Sequence, residues 1–358
     1  MQPKKNKESE KNDALKNFVS IIIVNWNGRK WLEGCLDSIS KQTYKNYEVI
    51  LVDNASTDSS LDFVRSNYPT FKVVCNKLNL GFADGNNSAI SSAKGDLILL
   101  LNNDTEAPND YLEKFVKQFN EIPNAGTAQS KIIRMGETDK LDSCGSFWTN
   151  WTLLYHFGVG KNEKLPIYNN PFRVFTNKGA SMLIRREIID QIGLFDSDFW
   201  CYYEETDFCH RAWLLGYESW YCPSALVYHA VGGTSLKFDS GYIQFHNFKN
   251  KILSFFKNFE IKTLVYVAPL FFTLSIIFSF IWLGQGKYKN FLAVYQAIFW
   301  NIKNISNTIE KRKKIQMNRR RSDKEIFQLI KKSPTMSYYY YLISDNLEKY
   351  LDISIIKK

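Results

Sequence analysis

The side chains in this sequence best suited to chemistry are carboxylates and amides that follow apolar runs or open a helical segment. The first kind occupies four positions: Asn25, Asp53, Asn79 and Asn102-Asn103-Asp104. The second kind is a cluster of acids: Glu204, Glu205 and Asp207. Carboxylates can remove protons or ligate hard divalent cations. Because Asn and Asp also form tight turns, and acids at a helix start stabilise the helix dipole, residue type alone leaves both interpretations open.

The elements that must position these residues alternate between strand and helix patterns from residue 18 to about 101. Apolar, β-branched runs predict four strands, at 18–24, 47–52, 71–75 and 96–101. Helices are predicted between them, at 31–39, up to Tyr68 with Ser56 or Thr57 as the cap, and at 81–94. This order predicts a doubly wound, mostly parallel α/β sheet, on which ligands bind beyond the carboxyl ends of the strands. The polar positions above lie at those ends, and turn formation does not explain acids after two separate central strands.

Two familiar nucleotide fingerprints are missing from the chain. No G-x-G-x-x-G follows the first strand, and no G-x-x-x-x-G-K-[ST] occurs. A nucleotide, if bound, is therefore held in some other way. Beyond residue 105, we expect a strand at 178–184, a helix at 204–215 and a closing strand that ends at His229.

The formal net charge of +10 is concentrated at the C-terminal end of the chain. From Lys287 onward there are 16 Lys and Arg against 6 Asp and Glu, so the preceding part is close to neutral. Because this basic segment follows an apolar stretch, anionic lipid is a better partner for it than nucleic acid. The balanced charge of the preceding part also argues against nucleic acid. The six cysteines are scattered without C-x-x-C spacing, which indicates reduced thiols and no zinc site.

A stretch of about twenty uncharged residues, 263–284, is long enough to cross a bilayer. A single crossing would place the basic segment 303–332 away from the cytoplasmic side, which positive residues prefer. We therefore expect 263–284, helped by Pro269, to form a re-entrant or in-plane hairpin with the apolar stretch 291–302. The basic segment would then lie on lipid headgroups. The alternative is a buried helix of an accessory domain.

The motifs now described resemble, in order, those of family 2 glycosyltransferases with the GT-A fold, particularly the rhamnosyltransferase-like branch. The resemblance covers about 19–235. It comprises V-S-I-I-I-V-N-W-N-G at 19–28, V-D-N-A-S-T-D at 52–58, N-L-G-F-A-D-G-N-N at 79–87, L-N-N-D at 101–104, G-A-S-M-L-I-R-R at 179–186, G-L-F-D at 193–196 and Y-E-E-T-D-F-C-H-R at 203–211. A single motif would be weak, but so many in register are specific.

The resemblance implies a site for a nucleotide-diphosphate sugar and a divalent cation, Mg²⁺ or Mn²⁺. Asp53 would accept a hydrogen bond from the pyrimidine base of the donor. The donor-binding set would be Asn25, Asp53, Asn79, Gly81, Asn86 and Asn103. Asp104 would ligate the cation that bridges the diphosphate, with His229 as a second candidate ligand. The alternative for Asp104 is an N-cap of the following helix, and the alternative for His229 is a structural role.

The resemblance also implies a catalytic group of Glu205, Glu204 and Asp207. Glu205 would be the general base that removes the proton of the acceptor hydroxyl in a single displacement with inversion. Glu204 and Asp207 would support it. Asn102 and Asn103 replace the first acids of a strict D-x-D motif, which implies modest metal affinity, and Glu205 replaces the usual aspartate. Aromatic residues between 147 and 200 could line an acceptor site or pack in the core.

These inferences together predict four regions: a disordered lead-in at 1–17, a GT-A catalytic domain at 18–240, membrane-associated helices at 241–332 and a tail at 333–358. The expected acceptor is a glycan or polyprenyl-linked glycan, and the catalytic domain would face the cytoplasm beside membrane lipid. Two other functions stay open. One is an inactive carbohydrate or nucleotide-sugar binding module, and the other is a subunit of a polysaccharide synthase.

Overall fold

The computed structural model describes residues 17–351, apart from Thr138, 231–237 and Asp345. The predicted lead-in therefore lies outside the described residues, except for Asn17. Four parallel strands form one half of the main sheet: β1 (Val19–Asn25), β2 (Tyr47–Asp53), β3 (Lys72–Cys75) and β4 (Leu97–Leu101). Every residue of β4 is buried, as its continuous apolar sequence predicts. The predicted doubly wound half-sheet is confirmed.

Three helices connect these strands: α1 (Arg29–Ser40), α2 (Ser60–Asn67) and α3 (Gly81–Ile90). The predicted caps of α2 are wrong, since the helix begins after Ser59, whose φ is 60° and whose side chain makes no cap bond. The Ser56 hydroxyl is instead the acceptor for Asn25 Nδ2 and the Asn27 amide. The polar loop after β2 is thus tied to the end of β1.

The other half of the sheet is mixed and comes from the middle of the chain. The short strand β5 (Thr105–Glu106) and helix α4 (Tyr111–Glu121) come first along the chain. The strands that follow in this half are β6 (Ala125–Arg134), β7 (Leu141–Ser143), β10 (Phe172–Val174), β11 (Ser181–Arg185) and β12 (Glu218–His229). The sheet order is β10-β12-β6-β11-β4-β1-β2-β3, with β11 antiparallel to β4. Strands β8 (Ser146–Trp148) and β9 (Leu154–His156) form a separate hairpin.

Two further helices complete the region up to β12: α5 (Arg186–Ile192) and α6 (Glu204–Leu214). Helix α6 carries three acids in its first turn and buries nearly its whole length. Because β5 pairs with the last residues of β12, the chain segment after β4 and the end of β12 lie side by side. This pairing brings Asp104 and His229, distant in sequence, to the same edge of the sheet.

The remaining helices are α7 (Ser240–Asn258), α8 (Ile261–Gly284), α9 (Tyr288–Lys303), α10 (Ile305–Met317), α11 (Asp323–Ile330) and α12 (Met336–Ile343). By length and composition, helix α8 could cross a membrane. Its mean hydropathy is 2.3, and little of it is buried. Helices α8 and α9 form an antiparallel pair, and α9 also packs along α7. Between α8 and α9 the chain reverses at Gly286, whose φ is 74°.

The described residues after 332 pack against the folded core. Tyr338 is fully buried, and its ring lies 4.8 Å from that of Tyr155. The amide of Lys332 donates to the Trp148 carbonyl. After α9 the chain therefore returns to the folded body, and the described part of the predicted tail packs against the β8–β9 hairpin.

Candidate active site

A cavity of about 430 Å³ opens at the carboxyl ends of the central strands. Its walls come from the ends of β1, β4 and β12, the starts of α3 and α6, and the 178–180 segment before β11. Among the residues proposed from sequence, the lining contains Asn79, Gly81, Asn103, Asp104, Glu204, Glu205 and His229. The convergence of strand ends thus gathers most of the predicted polar residues in one place.

Asp104 and His229 form one wall of this cavity. His229 Nε2 lies 3.3 Å from Asp104 Oδ1, and its Nδ1 lies 2.9 Å from Asp142 Oδ2. Lys178 Nζ lies 2.5 Å from the same Asp142 oxygen. Asp104 does not cap the following helix, because α4 begins at Tyr111, directly after Asp110.

Charge and burial compete at this wall. Burial acts to lower the pKa of His229, but the bonds and charges of Asp104 and Asp142 outweigh it and raise that pKa. Burial acts to raise the pKa of Asp142, yet Lys178 and His229 hold it well below its ordinary value. Asp142 and Lys178 were missed by the sequence analysis, because neither lies in a motif that pointed to the site.

The possible metal ligands in this wall, Asp104 and His229, suit one divalent cation whose other ligands come from a diphosphate and water. Asp104 Oδ1 is buried and is approached by His229 Nε2 at 3.3 Å as an ion pair, with no further partner among the described residues, so it keeps a lone pair for a cation. The bond from His229 Nδ1 to the Asp142 carboxylate is the arrangement that orients metal-ligating imidazoles. No group of three or more His, Cys, Asp or Glu suited to a metal occurs among the described residues. Asp104 and His229 would therefore act together with diphosphate and water ligands.

The proposed donor residues divide into two groups. Asn79, Gly81 and Asn103 line the cavity, whereas Asn25, Asp53 and Asn86 do not. Asn103 Nδ2 donates to Asn25 Oδ1 at 2.6 Å, so Asn25 holds a lining residue in place.

Asp53 and Asn86 lie behind the cavity lining. Asp53 accepts from the Ser56 amide through Oδ2, while its Oδ1 is buried without a partner among the described residues. Asn86 donates to the Phe82 carbonyl and is buried in α3. The direct contact expected of Asn86 with the donor is not supported by its position. Asn54, which the sequence analysis did not single out, lines the cavity and donates to the Gly81 carbonyl.

Gly81 must be glycine because its backbone packs against the opposite wall. Its φ is 74°, and a Cβ there would lie 2.4 Å from the carbonyl oxygen of Trp200. Trp200 is the residue of the predicted aromatic set that lines the cavity. Phe147 and Trp148 are instead buried in the core.

Glu204 and Glu205 form another part of the wall, at the first turn of α6. Oε2 of each is buried and makes no hydrogen bond with the described residues. Burial raises the pKa of Glu205, and burial together with the neighbouring Glu205 charge raises that of Glu204 well above its ordinary range. Unpaired buried carboxylates are costly, so their presence in a cavity indicates a functional role.

Asp207 lies in the same motif but outside the cavity lining. It pairs with Arg211 at 2.8 Å and Lys257 at 3.3 Å, and it accepts from Asn258 at 2.9 Å. These charges outweigh its burial and lower its pKa. The Asp207 carboxylate is thus occupied in joining α6 to α7, and its position outside the cavity leaves the supporting role expected from sequence, without direct contact with substrate.

Comparisons with known proteins agree with this geometry. Residues 20–193 match the family model described as Glycosyl transferase family 2. The N-acetylglucosaminyl-diphospho-decaprenol L-rhamnosyltransferase of Mycobacterium tuberculosis is 25% identical over 243 residues, covering 60% of this chain and 76% of that protein. The uncharacterized glycosyltransferase YwdF of Bacillus subtilis is 28% identical over 197 residues, covering 54% of this chain and 67% of that protein.

Solved structures share the fold. The crystal structure of GalNAc-T7 with UDP, GalNAc and Mn²⁺ has a TM-score of 0.52 and 19% identity, and the match covers 67% of this chain but 47% of that one. Residues 1–349 of S. aureus TarS also give a TM-score of 0.52, at 16% identity, over 92% of this chain and 89% of that one. At these identities the matches establish the fold of the sheet and its helices.

Proposed function

Since this chain is a family 2 glycosyltransferase with the GT-A fold, we propose that it transfers a sugar from a nucleotide-diphosphate donor to a hydroxyl of a glycan acceptor, with inversion. The observation that carries this proposal is the content of the cavity. Asp104 and His229 stand beside Asn79 and Asn103, while the unpaired carboxylates of Glu204 and Glu205 face the same space.

Asp104 and His229 would hold a divalent cation, Mg²⁺ or Mn²⁺. When bound, such an ion neutralises the charge that a diphosphate leaving group gains as its bond to the sugar breaks. Hard oxygen ligands suit these ions, and diphosphate and water complete the shell that one carboxylate begins. The GalNAc-T7 structure, which contains UDP and Mn²⁺, gives this proposal a structural precedent in the same fold.

Glu205 would act as the general base. Its carboxylate takes the proton of the acceptor hydroxyl as that oxygen forms a bond to the anomeric carbon. The bond from the anomeric carbon to the phosphate oxygen breaks in the same step, and the nucleotide diphosphate leaves with the electron pair. Burial raises the pKa of both glutamates, and the charge of Lys178 favours the ionised form of Glu205, which supports Glu205 as the base of the pair.

We also propose that the acceptor is lipid-linked and that the enzyme works at the cytoplasmic face of a membrane. The Mycobacterium tuberculosis relative is named for a decaprenol-linked acceptor. Helix α8 and the α9 surface expose large apolar side chains, among them Val265, Phe280 and Phe299. The return of the chain from α9 to the catalytic domain supports an in-plane or re-entrant hairpin, with both ends on one side.

The experiment is a screen of nucleotide sugars, including deoxythymidine-diphospho-rhamnose and uridine-diphosphate sugars, for release of nucleotide diphosphate. Extracted membranes supply the acceptor, and Mg²⁺ or Mn²⁺ is added or chelated. We expect metal-dependent release from one donor, reduced by about 10-fold or more in Asp104→Asn, since a lost ligand weakens stabilisation of the leaving group.

The matched control is Asp110→Asn, which removes an exposed acid from the same loop region, and it should retain activity. Donor binding without turnover, across the whole panel and with membranes present, would favour an inactive binding module. Release that is indifferent to chelation and to Asp104→Asn would contradict the metal site.

A further inference from the structure

A strained loop, Phe199 to Tyr203, leads directly into the two glutamates of the cavity. Three of its residues have positive φ: Trp200 at 61°, Tyr202 at 66° and Tyr203 at 73°. Non-glycine residues rarely adopt such a conformation, which persists only where the surroundings enforce it. Trp200, Cys201 and Tyr202 also line the cavity. We refer to this segment as the 199–203 loop.

One side chain supplies most of the restraint on this loop. Nδ2 of Asn250, on α7, lies 3.0 Å from the carbonyl oxygen of Phe199, 2.8 Å from that of Cys201 and 2.6 Å from that of Tyr202. Asn250 is completely buried. This amide group, with its two hydrogens, therefore lies within hydrogen-bond distance of three of the five carbonyls of the loop and shares its hydrogens among them.

The other two carbonyls of the loop are satisfied by backbone amides. The amide of Ala83, at the start of α3, donates to the Trp200 carbonyl at 3.0 Å. The amide of Asp207 donates to the Tyr203 carbonyl at 2.9 Å, which is the first hydrogen bond of α6. The Phe199 carbonyl also accepts from the Cys201 amide at 2.8 Å, so among the described residues it is the carbonyls of Cys201 and Tyr202 that depend on Asn250 for a donor.

The same face of α7 also holds the aromatic side of the loop. Tyr242 and His246 precede Asn250 by eight and four residues, so the three share one face of the helix. The rings of Tyr242 and His246 lie 5.5 Å and 5.4 Å from that of Trp200. Helix α7, which lies outside the matched family segment, therefore forms the support of the loop.

We propose that Asn250 is a positioning residue for the transfer reaction: it holds the 199–203 loop in its strained form and so fixes Glu205 relative to the donor. This inference rests on the proposed function. Without the amide, the carbonyls of Cys201 and Tyr202 lose their donor, the Phe199 carbonyl keeps only the Cys201 amide, and the positive φ values lose support. The loop then relaxes, and the first turn of α6 moves with it.

The test compares Asn250→Ala with Asn301→Ala. Asn301 is the matched control because it is also buried and its Nδ2 also donates to carbonyls, those of Lys249 and Ala297, but it joins α9 to α7 away from the loop. We expect Asn250→Ala to lower kcat by about 10²-fold, the effect of a displacement of about 1 Å at a reacting group. The Kd for nucleotide diphosphate should be unchanged, and Asn301→Ala should retain kcat despite a similar loss of thermal stability.

Hydrogen exchange of the backbone amides in 199–207 gives a second measurement that needs no turnover. We expect faster exchange there in Asn250→Ala than in Asn301→Ala. Inactivity of the wild-type enzyme on all donors would count against the proposed function. The exchange result would still test whether Asn250 holds the 199–203 loop. Equal kcat losses in the two variants, or equal exchange, would overturn the inference. If the alanine variant does not fold, Asn250→Ser, which retains one donor, enters the same comparison.

Discussion

Glu205 combines a buried carboxylate with a nearby cation, and this combination determines how the activity should depend on pH. Burial raises the pKa of Glu205, while the charge of Lys178 acts in the opposite direction. A general base works only when ionised, so activity should fall as the pH falls through this raised pKa. The acidic limb of kcat/KM should therefore lie above the ordinary glutamate value of about 4.3.

Removal of the Lys178 charge should move the acidic limb of the kcat/KM profile. Lys178→Met takes away the charge that favours ionised Glu205, so the limb should shift to higher pH in a profile of initial rates. Lys164→Met, which removes an exposed lysine paired with Asp139, is the control and should leave the profile unchanged. A limb that stays in place, or moves to lower pH, in Lys178→Met would contradict the proposed base.

At the residue scale, sequence predicted the site best where a polar residue ends a strand or opens a helix. Asn79, Asn103 and Asp104 lie in the cavity because parallel strands end at one edge. Asp142 and Lys178 could not be predicted, since their approach to His229 depends on irregular segments between short strands. The position of Asp207 outside the cavity could not be predicted, because helix periodicity does not reveal that α7 covers its side of α6.

At the element scale, α6 and α7 are joined by a buried network of charges. Lys257 lies 2.5 Å from Asp196 and 3.3 Å from Asp207, with all three side chains almost inaccessible. Lys311 of α10 also pairs with Asp196. Removal of Lys257 would leave Asp196 with Lys311 and Asp207 with Arg211, yet each buried aspartate would lose a cation, which costs more than the loss of a surface pair.

We predict that Lys257→Met lowers the free energy of unfolding by about 3–5 kcal/mol, because both aspartates lose their central cation. The control is Lys262→Met, whose exposed lysine pairs with Glu260 at 3.3 Å and contributes about 0–1 kcal/mol. Denaturant unfolding monitored by circular dichroism measures both values. Similar, small losses in the two variants would show that the network does not join the helices.

The strands and helices of the first hundred residues could be predicted because each follows a clear apolar period. The mixed half of the sheet could be predicted only in part, through β11 and the end of β12, since β7 and β10 are three-residue strands with no periodic signal. The C-terminal helices were expected as elements, but their packing against α6 depends on single buried polar residues such as Lys257 and Asn250. Such contacts leave no pattern in a lone sequence.

At the scale of the whole molecule, the α8–α9 hairpin presents an apolar surface with basic flanks. From Ile261 to Lys314 the chain has eight Lys or Arg and one acid, Glu310. Phe299 is 68% exposed on this surface. Such a surface matches the interface of an anionic bilayer, where apolar side chains enter and cations remain among the headgroups.

We predict that the protein co-sediments with vesicles containing an anionic phospholipid, and less so as salt rises, because exposed charges are screened. Phe299→Asp should weaken binding by about 10-fold or more, given the roughly 1.5–3 kcal/mol that burial of a phenylalanine provides. Leu165→Asp, at a 47% exposed apolar position in the catalytic domain, is the control. Equal binding of both variants would contradict an in-plane hairpin.

The most direct test of the central claim compares Glu205→Gln with Glu204→Gln in the release of nucleotide diphosphate from the active donor. Both substitutions remove one carboxylate from the same buried pair. Loss of the general base should lower kcat by about 10²–10⁴-fold in Glu205→Gln while nucleotide binding persists. Glu204→Gln should keep most of the rate, because glutamine resembles the protonated form that burial already favours there. Full activity in Glu205→Gln, or a larger loss in Glu204→Gln, would contradict Glu205 as the base.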